Sequence, residues 1–391
     1  MYDVIVSGAG PAGSYSAYLC AKSGLRTLLL ERSILPRKKC CAGGVLERAV
    51  RLLDLDLHAN VIERELNGFH FVREGRRYQC KNACRLAVTV RREVFDADLV
   101  RKAEAAGAEF MQEMEAVKIG EASDRTKVVT SRGDFDSRFV FIAEGANSRN
   151  AKTLLGPFPK GGMGLGVAAE IQTVEDPGES AGIYLFGSGK VLPFRRGFPM
   201  TGATFPLRSS VMASAVAAGK GTLDLNLALA SIKCDVSEKL GVVRMHDPCF
   251  HSVPLAPRTR LVTRRVLAIG DSAGFISPFS GEGLTYALTS AVIAAKVIAT
   301  QSQLDGSISL RDYEVQCRRQ IISRMRAARL IGPVLHWAVG NFDPDRVLGN
   351  FTKDPKAIDL CASLARGSIS LRDFAMKGVP RIPHLILSGT E

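Results

Sequence analysis

Short, unbroken apolar runs separated by longer mixed stretches set the pattern of this chain. Val4-Ile5-Val6 comes first, a helix-length stretch runs from Pro11 to Ser23, and Thr27-Leu28-Leu29-Leu30 ends at Glu31. Runs of this length without alternation read as strands buried on both faces, so the opening of the chain predicts a β-α-β unit. Arg138 to Ala143 and Arg265 to Ile269 repeat the buried-strand signature. The second of these leads into an apolar helix expected from about Glu282 to Ala299.

Other stretches have a different period. Residues 59–90 and 156–255 carry short alternating runs, among them Gly182 to Phe186 and Met200 to Phe205, which predict antiparallel strands. The last ninety or so residues read as mainly helical. This order predicts an α/β chain, α+β overall, in which a parallel-stranded nucleotide-binding domain is assembled from separated segments. The expected segments are 1–58, 85–155 and 256–302, with an antiparallel sheet domain from 59–84 and 156–255, and a helical region over 303–391.

Composition narrows the class. With 391 residues, 46% hydrophobic and 23% charged, the chain can bury a sizeable core, which excludes a disordered or collagen-like polymer. Nine cysteines, an odd number spread along the length, predict free thiols in a reducing compartment rather than a disulfide framework. The first strand starts at once, so a secretory leader is not expected, and the apolar runs Ala291–Ala299 and Leu330–Val339 are too short to span a bilayer. A net charge of +13 calls for an anionic partner: nucleic acid, a membrane surface or a phosphorylated substrate. No nucleic-acid module accompanies it, so nucleic acid is not expected.

The strongest local chemistry is Gly8-Ala9-Gly10-Pro11-Ala12-Gly13, a G-x-G-x-x-G loop between a buried strand and a helix. Its first glycine permits the turn, the second lets a pyrophosphate approach the backbone, and the third packs helix on strand. Glu31, followed by Arg32, ends the second strand where a carboxylate accepts from a ribose hydroxyl. Two further turns follow the later strands: Ala143-Glu144-Gly145-Ala146-Asn147-Ser148 and Ala268-Ile269-Gly270-Asp271-Ser272-Ala273, the latter leading through Pro278 to Gly281-Glu282-Gly283-Leu284.

With these three motifs the sequence resembles the FAD-dependent monooxygenase-like flavoproteins of glutathione-reductase type. The resemblance implies a Rossmann-like domain with FAD as cofactor, Asp271 on its ribityl chain, and the backbone at Gly145, Gly270, Gly281, Gly283 and Leu284 close to the flavin. Arg92, in Arg92-Glu-Val-Phe-Asp96, matches a family arginine near the cofactor. Glu144 stands where the family usually has aspartate.

Pro36-Arg37-Lys38-Lys39-Cys40-Cys41-Ala42-Gly43-Gly44 looks like the P-x-x-K-x-C-x-G-G segment of the geranylgeranyl reductase family. The resemblance puts the family cysteine on Cys41, with Cys40 next in line if the register slips by one, and brings Ala42 and Gly43 to the flavin. Three basic neighbours stabilise a thiolate, so the Cys41 thiol can surrender a proton, with Lys39 steadying what remains. The family's Y-x-W-x-F-P stripe is kept only in part: Phe194, Arg196, Phe198 and Pro199 stand on it, with Arg196 in place of tryptophan.

The implied activity is saturation of C=C bonds in geranylgeranyl or other isoprenoid chains, as in archaeal-type lipids or prenylated quinones. Such chemistry needs a dry apolar slot, a stacked flavin and an acid on the opposite face of the alkene. NADPH and reduced ferredoxin both remain as electron donors, and the basic surface suits an acidic ferredoxin. An aromatic hydroxylase or halogenase on the same scaffold is the alternative enzyme, and a non-catalytic flavin-bound electron carrier the alternative of another class. No metal site is expected, because Cys80 and Cys84 lack a second ligand pair at suitable spacing, and the six histidines form no motif. Arg311 to Arg329 carries six arginines interleaved with apolar residues. Arg318, Arg319, Arg324, Arg326 and Arg329, with an apolar stretch from Ile331 to Trp337, give a cytoplasmic enzyme a means of peripheral attachment to an anionic membrane.

Overall fold

A computed structural model describes residues 1–53, 55–185, 201–218, 222–278, 280–302, 309–330 and 343–387. The chain opens with β1 (Tyr2–Ser7), α1 (Pro11–Lys22) and β2 (Thr27–Leu30), then β3 (Gly44–Leu46) and α2 (Glu47–Leu52). Strands β4 (Ile62–Leu66), β5 (Gly68–Arg73), β6 (Arg76–Lys81) and β7 (Ala87–Val90) lead to α3 (Arg92–Ala105). Next come β8 (Glu109–Met111), β9 (Ala116–Glu121), β10 (Thr126–Thr130), β11 (Gly133–Ile142) and α4 (Arg149–Leu155). Then follow β12 (Met163–Thr173), β13 (Ser180–Leu185), β14 (Thr201–Pro206), β15 (Ser210–Ala218) and α5 (Thr222–Leu240). Strands β16 (Val242–Met245), β17 (Cys249–Pro254) and β18 (Val266–Ala268) precede α6 (Leu284–Ser302) and α7 (Arg311–Cys317). From α7 the helix passes through a π-turn at Arg318–Ile322 and continues to residue 330.

The apolar runs form the parallel strands that their lack of alternation predicts. In the first sheet β8, β2, β1 and β11 lie side by side, β18 joins the far side of β11 in parallel, and β9 and β10 extend it antiparallel. One face, with Val4, Val6, Leu29, Phe139 and Phe141, is buried under α1, α6 and the apolar side of the helix beginning at Arg311. The other face buries Ile5, Leu28, Val140 and Ile142 against Ile119 and Val128 of β9 and β10. Burial on both sides is why these strands show no polar alternation.

The second sheet runs β16-β12-β15-β14-β13-β5-β6, with β17 also paired to β12. Here period two decides the faces. Val167, Ala169 and Ile171 of β12 pack with Ala213 and Ala215 against Leu225, Leu229 and Ile232 of α5. The opposite face of β12 carries Gly164, Gly166 and Ala168. Strand β4 lies within the expected insertion 59–84 yet pairs with β7, which with β3 forms a small third sheet.

The face that carries Gly164, Gly166 and Ala168, the inner one, meets β3 and the loop between β18 and α6. A side chain at Gly44 would strike the Phe205 ring at 2.3 Å, and one at Gly281 would touch Val216. The loops after β1, β11 and β18, which carry the sequence motifs, lie together on this side of the first sheet.

Candidate functional site

The glycine loop divides its work as its chemistry demands. Gly8 has φ +103° and a Cβ there would lie 2.5 Å from the Ala143 carbonyl oxygen, so only glycine allows β1 to turn against the end of β11. A Cβ at Gly13 would fall 1.8 Å from the Gly8 carbonyl oxygen, which fixes the close seat of α1 on the turn. Gly10 is open: the nearest atom to its would-be Cβ is Arg37 Nη2 at 3.9 Å. Pro11 begins α1, whose N-terminus has no side-chain cap, a ready seat for a phosphate.

Glu31 is buried, and its Oε2 accepts from the Ala9 amide at 3.0 Å and faces Arg37 at 3.4 Å. Its Oε1 accepts from the Ser33 amide at 3.1 Å. The carboxylate is thereby held beside the glycine loop with acceptor capacity to spare for a ribose hydroxyl. Arg32 points its residue to solvent and makes no contact with this group among the described hydrogen bonds.

Glu144, the departure from the family's aspartate, turns inward. Its carboxylate accepts from Ser7 Oγ at 2.7 Å, Ser148 Oγ at 2.6 Å and Asn150 Nδ2 at 2.9 Å. It locks the second turn onto β1 and the start of α4, and the Gly145 carbonyl accepts from Ser272 Oγ at 3.1 Å. The second and third motifs are thus hydrogen-bonded to each other. In the third, Gly270 has φ +58° and donates its amide to Ser290 Oγ of α6 at 3.0 Å. Asp271, half-buried in this turn, has its carboxyl pushed up by burial, against which Lys39 and Arg92 both act. Glu282 caps α6 by accepting from the Thr285 amide at 2.6 Å and pairs with Arg48 at 2.9 Å, which holds Gly281, Gly283 and Leu284 in line with Asp271.

The cysteine loop docks on the end of β7. Gly43 takes φ +76°, its carbonyl accepts from the Val90 amide at 2.9 Å, and a Cβ there would meet the Val90 oxygen at 2.5 Å. Cys41 is half-buried with a free thiol, which accepts from the Gly43 amide at 3.4 Å and lies near enough to Arg92 to favour its charge. Burial works against the Arg92 charge, but Asp96 and Cys41 outweigh it and raise its guanidinium above its usual value. Asp96, fully enclosed, also accepts from Arg37 Nη1 at 3.1 Å. A continuous chain of charge therefore runs from Glu31 through Arg37, Asp96 and Arg92 to the thiol of Cys41.

Cys40 corrects the expectation of free thiols. It is bonded to Cys249 at the start of β17, so it is not an available thiol and cannot stand in for Cys41. Two adjacent residues of an extended loop point to opposite sides, which sends Cys41 to Arg92 and Cys40 to the sheet.

His251 joins the site without a sequence signal. It pairs in register with Gly166, and its ring covers the place a Gly166 side chain would fill, with Nε2 2.8 Å from the would-be Cβ. Its Nδ1 is buried without a partner among the described residues. Burial lowers its pKa to about 4, assisted by Lys39 and Arg92, so it is a neutral imidazole at neutral pH. Phe194, Arg196, Phe198 and Pro199 lie outside the described residues, as do Ile331 to Trp337.

These positions fit a dinucleotide: an open glycine at a helix start, a buried carboxylate beside it, and two further turns hydrogen-bonded to each other. A model of the FAD binding domain family matches residues 1–328. The chain belongs to this family. As a FAD-binding protein it is 27% identical over 335 residues to a chloroplastic geranylgeranyl diphosphate reductase of Oryza sativa, covering 76% of this chain and 66% of that one. It is 26% identical over 330 residues to digeranylgeranylglycerophospholipid reductase 3 of Methanosphaera stadtmanae, covering 80% and 79%. Among solved structures, a geranylgeranyl bacteriochlorophyll reductase-like protein of Thermoplasma acidophilum superposes with TM-score 0.75 at 17% identity, over 97% of this chain and 99% of that one. A flavin-dependent brominase shares the fold too, with TM-score 0.70 at 18% identity over 97% and 99%. The cofactor of this flavoprotein is FAD.

Proposed function

We propose that this flavoprotein reduces C=C bonds of isoprenoid chains, with a geranylgeranyl lipid as substrate and Cys41 as the proton donor. The observation that carries the reading is the free Cys41 thiol, held by the Gly43 amide and near Arg92 on the loop of the reductase-like motif. The reductase names of the relatives point the same way.

FAD supplies the hydride when bound and reduced. The chain's own residues supply the rest. The thiol of Cys41 gives its proton to one alkene carbon, and the thiolate left behind faces Arg92 and the Gly43 amide, both suited to a negative sulfur. Lys39 adds a second positive charge. His251, neutral and buried, leaves the slot free of a competing cation. Gly164, Gly166 and Ala168 place no polar side chain on their stretch of the inner sheet face, which suits a methyl-branched apolar chain.

A substrate of this kind is drawn from a bilayer, and no helix among the described residues is long and apolar enough to cross one. Attachment to the membrane surface is therefore part of the reading. Its support is the exposed row Arg318, Arg319, Arg324, Arg326 and Arg329, while Tyr313, Ile321, Ile322 and Met325 of the same helix pack inward.

The deciding experiment is anaerobic incubation of dithionite-reduced protein with geranylgeranyl lipid, followed by mass analysis. Gains of two hydrogens per reduced bond are expected from the native protein, with Cys41→Ser slower by about 100-fold or more. Absence of any gain with the native protein, or full activity in Cys41→Ser, would overturn the assignment.

A further inference from the structure

The disulfide between Cys40 and Cys249 joins the motif loop to the first residue of β17, with Cα atoms 5.7 Å apart and a sequence separation of 209. Cys249 is exposed and Cys40 half-buried, so a reductant in solution can reach the bond. Several other cysteines are closed to such chemistry. Burial pushes the thiols of Cys80, Cys317 and Cys361 up to about 12, and Cys20 is fully enclosed.

The loop that carries Cys40 has no helix or strand between residues 32 and 43. Its described ties to the rest of the molecule are few: Arg37 to Glu31 and Asp96, Leu35 to Gln112, Gly43 to Val90, Cys41 to Arg92, and the bridge. Lys38 and Lys39, immediately before the bridged residue, are exposed. His251 lies two residues beyond Cys249 on the same face of β17, so the bridge also fixes which part of the sheet lies against Lys39 and Cys41.

We propose that Cys40–Cys249 is a thiol–disulfide exchange site that takes a reduced dithiol as co-reactant, and that its redox state decides whether the motif loop is fastened to the second sheet. One thiolate of the dithiol attacks Cys249 Sγ, forming a mixed disulfide and releasing Cys40 as thiolate. The second thiolate of the donor then displaces Cys249. The donor gives up two electrons and two protons and ends as a disulfide, and Cys40 and Cys249 end as thiols. Lys38 and Lys39 favour Cys40 as the leaving thiolate. Once the bond is open, the loop keeps its ties at Arg37, Cys41 and Gly43 but loses the covalent one, and Lys38 to Cys40 can move away from His251. The inference rests on the place of the loop and is independent of the substrate proposed above.

The test uses the full FAD-loaded chain, as isolated under air and after dithiothreitol treatment. Iodoacetamide labelling with peptide mass analysis reads the bond, and timed native trypsin digestion reads the loop through cleavage after Lys38 and Lys39. Cys40 and Cys249 are expected to label only after reduction. Cleavage is expected to accelerate by about tenfold on reduction, to slow again on reoxidation, and to stay fast in Cys249→Ser whatever the treatment. Labelling of both cysteines without reductant would overturn the proposal, as would a cleavage rate unchanged after complete reduction. Should Cys249→Ser fail to fold by circular dichroism, the reduced and reoxidised native protein decide the matter alone.

Discussion

Arg92 grips Asp96 with two nitrogens from one helical turn away, Nε at 2.8 Å from Oδ1 and Nη2 at 3.1 Å from Oδ2. Both side chains are buried, and Arg37 shares the same carboxylate. Removing one member of such a group leaves the others charged and uncompensated away from water. Asp96→Asn is therefore expected to lower folding stability by about 3–5 kcal/mol and to loosen Arg92 from Cys41. Urea unfolding and the midpoint of thermal melting check the first effect. A variant with native stability would show that water, and not Asp96, satisfies the two arginines.

Glu31→Ala is expected to weaken FAD retention by roughly 10-fold, since a ribose hydroxyl would lose its acceptor and the Ala9 amide its partner. Flavin absorbance of the protein after gel filtration reads this directly. Arg37 would also lose one of its two carboxylates, so part of the loss should appear as lower stability even without cofactor.

Stability should fall as the solution is acidified below about pH 6.5. Burial lowers His251 to about 4, and it lowers His70 to about 4 as well, with Arg77 contributing. Each folded-state pKa is below the unfolded value, so the unfolded chain binds more protons between pH 6.5 and 4 and stability declines across that window. Each histidine contributes on the order of 3 kcal/mol at most by the bottom of it. His70→Asn and His251→Asn should each flatten the pH dependence of the urea midpoint, whatever they do at neutral pH. Equal slopes in native and variant proteins would show that these rings are wet.

Sedimentation with anionic liposomes tests the arginine face. The native protein is expected to bind at low salt and to be released at high salt, because exposed charges are screened beyond ~8 Å at physiological ionic strength. Arg324, Arg326 and Arg329 all changed to Glu should abolish binding, at roughly 1 kcal/mol lost per arginine. The same binding by both proteins would make this face a solvated helix surface.

The parallel sheet could be read from the sequence because burial on both faces leaves an unbroken apolar run, and Val4 to Val6 or Phe139 to Ile142 admit few other fates. The glycine loop was equally plain, since Gly8 and Gly13 each meet a backbone oxygen that no larger residue tolerates. The electrostatic chain was only half visible. Arg92 and Asp96 have the i, i+4 spacing of a helical ion pair, whereas Arg37 reaches Asp96 across a loop that leaves no periodic trace. His251 and Cys249 carry no local signal at all. They enter the site because β17 pairs with β12 in one register, and a shift of a single residue would turn both away.

The place of β18 has a consequence for biosynthesis. This strand covers the open side of β11, pairing Val266 with Val140 and Ala268 with Ile142, yet it is translated only after the whole second sheet. At ~5–20 residues per second, the ribosome leaves β11 without that neighbour for roughly 6–25 s. During that interval Val140, Phe141 and Ile142, fully enclosed in the finished protein, border an unpaired edge open to other nascent chains. A chain stopped before Val266 would keep that edge for good, so the first sheet is completed only by its last strand.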